Sequence, residues 1–138
     1  HPIHHAADRP DHPAIVMAGS GERLTFAQMD GMANRFAQWL RARSLRAGHT
    51  LGLLLENRLE YLPLAWGSQR AGTVLVPIST HLTADEVAYI LQDSGAEVLV
   101  SSTKFAPVLQ AVRTGLPDLA TLVFDQGGER DAAAQLAA

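Results

Sequence analysis

Four of the six histidines, His1, His4, His5 and His12, crowd the first twelve residues, and imidazole serves chemistry both as a metal ligand and as a general base. Holding zinc would require an accompanying Asp, Glu or Cys at a recognised spacing. None accompanies them, so these residues read as a mobile polar terminus and no metal is assigned. Gly19 and Gly21 follow a short apolar run, as the first glycines of a dinucleotide cradle would, but the third position falls on Leu24. That pattern reads as a hairpin turn. Gly127-Gly128 lacks the Lys-Ser or Lys-Thr of a phosphate loop, and no Gly-x-Ser-x-Gly marks a hydrolase nucleophile. The neighbouring carboxylates Asp8 and Asp11 belong to the polar terminus. Asp85 and Glu86 suit the first turn of a helix, whose dipole favours acids. The absence of cysteine excludes disulfides and thiolate chemistry and fits a reducing, cytoplasmic setting.

Whatever these residues do, a regular alternation of elements must position them. The 138 residues suit one domain, and with 47% apolar but only 6% aromatic residues its core should be aliphatic. A net charge of -3 leaves no basic footprint for nucleic acid. No apolar run approaches the roughly 20 residues that span a bilayer. Residues 14–17 read as a strand that turns and returns through Arg23 and Leu24. Thr25 and Gln28 form a capping box with Leu24 and Met29 at its staple positions, and Met29, Ala33, Phe36, Ala37 and Leu40 mark the buried face of the helix that follows. Residues 50–55 form an aliphatic run expected of a strand covered on both faces. Asn57 with Glu60 is expected to cap the next helix, which should bury Leu59, Leu62 and Trp66, bend at Pro63 and end near Gly72.

Residues 73–78 follow as a strand. Thr83 and Glu86 make a second capping box, with Leu82 and Val87 as its staple, and the helix should turn Val87, Ile90 and Leu91 inward before stopping at Ser94-Gly95. A strand at 97–101, a helix at 104–113 entered through Pro107, and a strand at 121–124 complete the series. The expected fold class is therefore α/β: a parallel, doubly wound sheet with flanking helices joined by right-handed crossovers. Residues 1–125 are assigned to this unit, and 126–138 to a linker or weak helix.

Three segments carry a more specific signal. Leu24-Thr-Phe-Ala-Gln-Met29 resembles the first core motif of adenylate-forming, AMP-binding enzymes, Leu-Thr/Ser-Tyr-x-Glu-Leu, and Met32-Ala-Asn-Arg35 resembles their Ala-Asn-Arg. Arg70-Ala-Gly-Thr-Val-Leu-Val-Pro-Ile78 resembles the second motif, Lys/Arg-Ala-Gly-x-x-x-x-Pro-Ile/Leu, and Asp93-Ser94-Gly95 resembles a common helix end. Each match alone is unspecific; their ordered set, from about Ala14 to Phe124, resembles the N-terminal domain of acyl-CoA synthetases.

This resemblance implies a ligase using ATP, Mg2+ and CoA to convert a carboxylic or fatty acid to its thioester through an acyl adenylate. It also places the phosphate loop, the ribose-binding Asp and the adenylation lysine in later sequence. The segment is then expected to be inactive alone, with no catalytic residue, metal or bound cofactor of its own, and homo-oligomer formation is open. One position departs informatively. Where acyl-CoA synthetases often carry Asn-Pro-Arg, whose Arg can approach the phosphates of CoA, this chain has Ser79-Thr80-His81, so His81 is the one residue assigned to the CoA side. Alternatives are a peptide-synthetase or carrier-protein-loading adenylation domain, and a noncatalytic interaction module.

Overall fold

The computed structural model describes residues 2–125 and 136. Its elements follow in the order α1 (Pro2–Asp8), β1 (Pro13–Val16), β2 (Arg23–Thr25), α2 (Phe26–Ala42), β3 (Thr50–Leu54), α3 (Tyr61–Ala71), β4 (Val74–Pro77), α4 (Ala84–Asp93), β5 (Ala96–Ser102), α5 (Ala106–Gly115) and β6 (Ala120–Phe124). β1 and β2 form an antiparallel hairpin of their own. The other strands pair in parallel, in the order β4-β3-β5-β6. The expected α/β, doubly wound architecture is the one the chain adopts. The expected tail at 126–138 lies outside the described residues except for Leu136, which is buried in the core.

Side-chain alternation along each strand divides the core between the two faces of the sheet. Leu51, Leu53, Val98, Val100, Leu122 and Phe124 join residues of α2 and α3 in one cluster. Leu54 and Leu99 join Val87 and Leu91 of α4 and Leu109 and Val112 of α5 in the other. Both expected capping boxes are formed. Thr25 accepts from the Gln28 amide while the Gln28 side chain accepts from the Thr25 amide, and Thr83 and Glu86 repeat the arrangement. The staple residues Leu24, Met29 and Val87 are buried, and Leu82 is partly so.

Four expectations are corrected. The terminus expected to be mobile is helical over α1, which packs on α2 with the His5 ring 5.1 Å from that of Phe26. Pro2 suits a first helical position, where no amide hydrogen is needed. Asn57 does not cap α3: Glu60 is its N-cap, and it makes no side-chain capping bond because its carboxylate is held by Arg58. The later start puts Pro63 in the first turn, where its missing N–H has no intrahelical acceptor to lose, so the ground for the expected bend at Pro63 falls away. It also rotates the buried face to Pro63, Leu64, Gly67, Ser68 and Ala71, leaving Leu62 47% exposed and Trp66 only partly buried.

Helices α2 and α3 approach closely at Gly67. A Cβ there would lie 2.7 Å from the Ala33 carbonyl oxygen and 2.9 Å from the Phe36 ring. The carbonyl cannot turn aside without breaking its helix. Gly67→Ala should therefore destabilise the fold by about 1–3 kcal/mol, despite the helix preference of alanine. Urea denaturation tests this, and an unchanged midpoint would contradict the contact.

Candidate functional site: the carboxyl rim of the sheet

In a parallel sheet every strand ends on the same rim. The loops that leave β3 (residues 55–60), β4 (78–83), β5 (103–105) and β6 (from Asp125) therefore converge on one side. The order β4-β3-β5-β6 adds a reversal. From β3 the chain steps outward to β4, whereas from β5 it steps the other way to β6. Between the ends of β3 and β5 lies the switch point, the crevice where open α/β sheets commonly take ligands.

Here that crevice is lined and crossed by a polar network. Ser102, fully buried at the end of β5, donates its hydroxyl to Glu56 Oε2 at 2.7 Å, which ties β5 to the loop after β3. Arg58 then makes a bidentate pair with Glu60, Nε to Oε2 at 2.8 Å and Nη2 to Oε1 at 2.9 Å. Nη2 also donates to the backbone carbonyl of Asp125 at 3.2 Å. The guanidinium carbon lies 5.6 Å from the Phe124 ring centroid, and Nη1 is 3.5 Å from Glu56.

Glu60 is only 2% exposed, and both of its carboxylate oxygens are taken up by this partner. The Arg58 pKa is raised, first by the hydrogen bond with Glu60; burial opposes this, and the charges of Glu60 and Glu56 reinforce it. Of Glu56, Arg58, Glu60 and Ser102, the sequence singles out only Glu60, and that only as part of a helix cap. Glu60 within Leu59-Glu-Tyr-Leu62 is a charge in an apolar stretch, but its environment is completed by Phe124 and Asp125 at the far end of the chain.

His81 reaches the same rim on the loop between β4 and α4. Its residue is exposed, its backbone N–H donates to Ser79 Oγ at 3.4 Å, and among the described residues its ring has no hydrogen-bond partner. No bond joins it to the Arg58 network. Gly19 and Gly21 lie in the β1–β2 turn, closed by Met17 N–H to Glu22 O at 2.8 Å and Gly21 N–H to Met17 O at 2.8 Å, as the hairpin reading requires. Among the described residues no group of three or more His, Cys, Asp or Glu is placed to hold a metal ion.

The motif residues mostly serve packing. Arg70 pairs with Asp30 and donates to Asn34 Oδ1 at 2.7 Å, so the Arg-Ala-Gly and Ala-Asn-Arg segments meet across the α2–α3 seam. Gly72 ends α3 in the left-handed region at φ 79°, and Ala71 is buried.

This sheet, with helices on both faces and its motif residues along the α2–α3 seam, is an open parallel α/β domain with a switch point at its carboxyl rim. The model for the AMP-binding enzyme family matches residues 3–137. The chain belongs to that family. It is 41% identical over 100 residues to the long-chain-fatty-acid–CoA ligase FadD13 of Mycobacterium tuberculosis, covering 72% of this chain and 20% of that protein. With the fatty acid–[acyl-carrier-protein] ligase ScoC of Streptomyces coeruleorubidus it shares 36% identity over 114 residues, 83% of this chain and 22% of that protein. Among solved structures it resembles the inhibitor-bound N-terminal domain of FACL13 from Mycobacterium tuberculosis, with TM-score 0.82 and 35% identity over 99% of this chain and 34% of that one. The chain thus spans about a fifth of the length of the curated relatives it matches.

The loop that carries His81 is anchored by the second capping box, whose acid has a depressed pKa. The Thr83 backbone N–H and then its hydroxyl both donate to the Glu86 carboxylate, at 2.8 and 2.9 Å, and burial opposes them only weakly. A depressed carboxyl contributes stability that is present above its unfolded pKa and lost as pH falls through the folded one. A carboxyl-carbon NMR titration should place the Glu86 midpoint below the ordinary glutamate value of 4.5, and Thr83→Ala should move it upward. A midpoint at the ordinary value in the parent protein would contradict the anchored loop.

Proposed function

We propose that these residues form the opening part of the large domain of an AMP-forming acid–thiol ligase of the fatty-acid–CoA ligase type. The single observation carrying this reading is the family match over residues 3–137, supported by a 41%-identical relative named as a long-chain-fatty-acid–CoA ligase. In this reading residues 1–125 are the first subdomain and 126–138 lead onward. The whole protein joins ATP to a fatty or other carboxylic acid with loss of pyrophosphate, and CoA then displaces AMP. The described residues do not fit ATP and Mg2+: the switch-point crevice is crossed by Arg58, and no carboxylate group is arranged for a metal. No step of the transfer is therefore assigned to them. Their contribution is to build and orient the rim. The setting proposed is the cytoplasm, and self-association is proposed for the isolated chain.

The test is carboxylate-dependent ATP–pyrophosphate exchange by the full-length gene product, with fatty acids of graded length. Exchange is expected from that protein and none from the 138-residue chain alone. Exchange by the isolated chain would overturn the division of labour, and none by the whole protein would overturn the ligase reading. His81, exposed on its loop, is assigned to the phosphates of CoA. His81→Ala should raise the KM for CoA several-fold and leave the pyrophosphate exchange rate unchanged; an unaltered KM would remove that assignment. The match to ScoC favours one second reading, with a carrier-protein thiol as acceptor. Product analysis with CoA or acyl carrier protein supplied separately distinguishes the two.

A further inference from the structure

Arg58 belongs to the loop after β3, yet it touches Phe124 and Asp125, at the end of a strand that is not its neighbour in the sheet. To get there its side chain must pass over the end of β5, which lies between β3 and β6. We propose that Arg58 is a positioning residue: a clamp that closes the switch-point crevice and fixes the point at which the chain leaves β6.

The geometry of the donors supports this. A guanidinium offers five N–H groups in a rigid plane. Nε and Nη2 bind both Glu60 oxygens, and Nη2 retains a donor for the Asp125 carbonyl. Glu60 in turn is the N-cap of α3, a helix packed on α2. The clamp therefore refers the exit of β6 to the packed α2–α3 pair. Lysine keeps the charge but has no planar fork and cannot hold three acceptors in this arrangement.

Glu60 alone does not explain the arrangement. A carboxylate can be neutralised without spanning two strands, whereas the bond to the Asp125 carbonyl neutralises nothing and connects backbone to side chain across 67 residues. This inference rests on the ligase reading only for its kinetic readout.

The experiment uses the full-length protein. Arg58→Met alone strands a buried carboxylate and is expected to lower thermal stability, so the informative variant is the double change Arg58→Met, Glu60→Met, which removes both charges together. Its melting temperature should stay near that of the parent. Amide hydrogen exchange at residues 123–125 should nevertheless quicken about tenfold, with β3 unchanged, because those amides then open locally. Pyrophosphate exchange should show a lowered kcat with little change in KM, and Arg58→Lys should not restore it. Unchanged protection at 123–125 overturns the clamp, whatever the protein turns over. Quickened exchange with parental kcat overturns the positioning role. A parent protein that performs no pyrophosphate exchange sinks the ligase reading instead, and the hydrogen-exchange comparison still decides the clamp.

Discussion

The constraint on which this structure depends is the handedness of a crossover. Two parallel strands can be joined only by a chain that passes over one face of their sheet, and it passes right-handedly in nearly every case. From β3 the chain moves to the outer strand β4, then returns past β3 to β5 and continues to β6. Because the direction of travel reverses, the same handedness puts α3 on one face and α4 and α5 on the other. Strands covered on both faces must be apolar on both, and β3 is read accordingly: Leu51 and Leu53 point to one cluster and Leu54 to the other. Gly52 lies on the second face beside Leu54, where a Cβ would stand 2.5 Å from a methyl carbon of Leu91 and oblige that side chain to shift.

The second consequence concerns the segments by which the chain resembles its family. Arg70, Ala71 and Gly72 divide three structural tasks among adjacent residues: an ion pair to Asp30, burial beneath α2, and a left-handed helix end. Ser68 and Thr73 close the turn behind them with a buried hydroxyl pair at 2.8 Å. Asn34 completes the seam from the other helix. Motifs of this kind identify a lineage because they determine how helices dock. They carry little of its chemistry, which agrees with a rim where Glu56, Arg58 and Glu60 are engaged with one another.

The elements legible from sequence are those decided within a few residues. Both capping boxes depend on a contact three positions apart, so Thr25 with Gln28 and Thr83 with Glu86 reveal the starts of α2 and α4 directly. The aliphatic runs of β3 and β5 announce burial in the same local way, whereas that of β4 forms an edge strand that leaves Val74 51% exposed. The start of α3 does not, since Asn57 and Glu60 stand at capping distance while Glu60 finds a better partner in Arg58. That choice shifts the helix start, relocates Pro63 to a harmless turn and rotates Leu62 outward. One ion pair between residues two apart, which no capping pattern anticipates, thus accounts for several misreadings. The helix α1 escaped for a similar reason, because it is held by packing against Phe26 and α2 rather than by any hydrophobic face of its own. The rim network was illegible because Arg58 and Asp125 stand 67 residues apart.

Whether a buried ion pair such as Arg58–Glu60 stabilises a fold is decided by what else it satisfies. Bringing two charges out of water costs several kcal/mol each, and mutual attraction alone often fails to offset it. Here the guanidinium keeps a partly aqueous edge toward Asp125, lies over the electron-rich face of Phe124, and uses both of its Glu60 bonds in a planar fork. The pair is therefore about as favourable as such a pair becomes, yet an apolar replacement of equal volume would serve the core nearly as well. What an apolar pair could not do is hold a carbonyl at a fixed place beyond β6. The energetic case for Arg58 is thus weak and the geometric case strong, which is the balance expected of a residue kept for where it sends the chain.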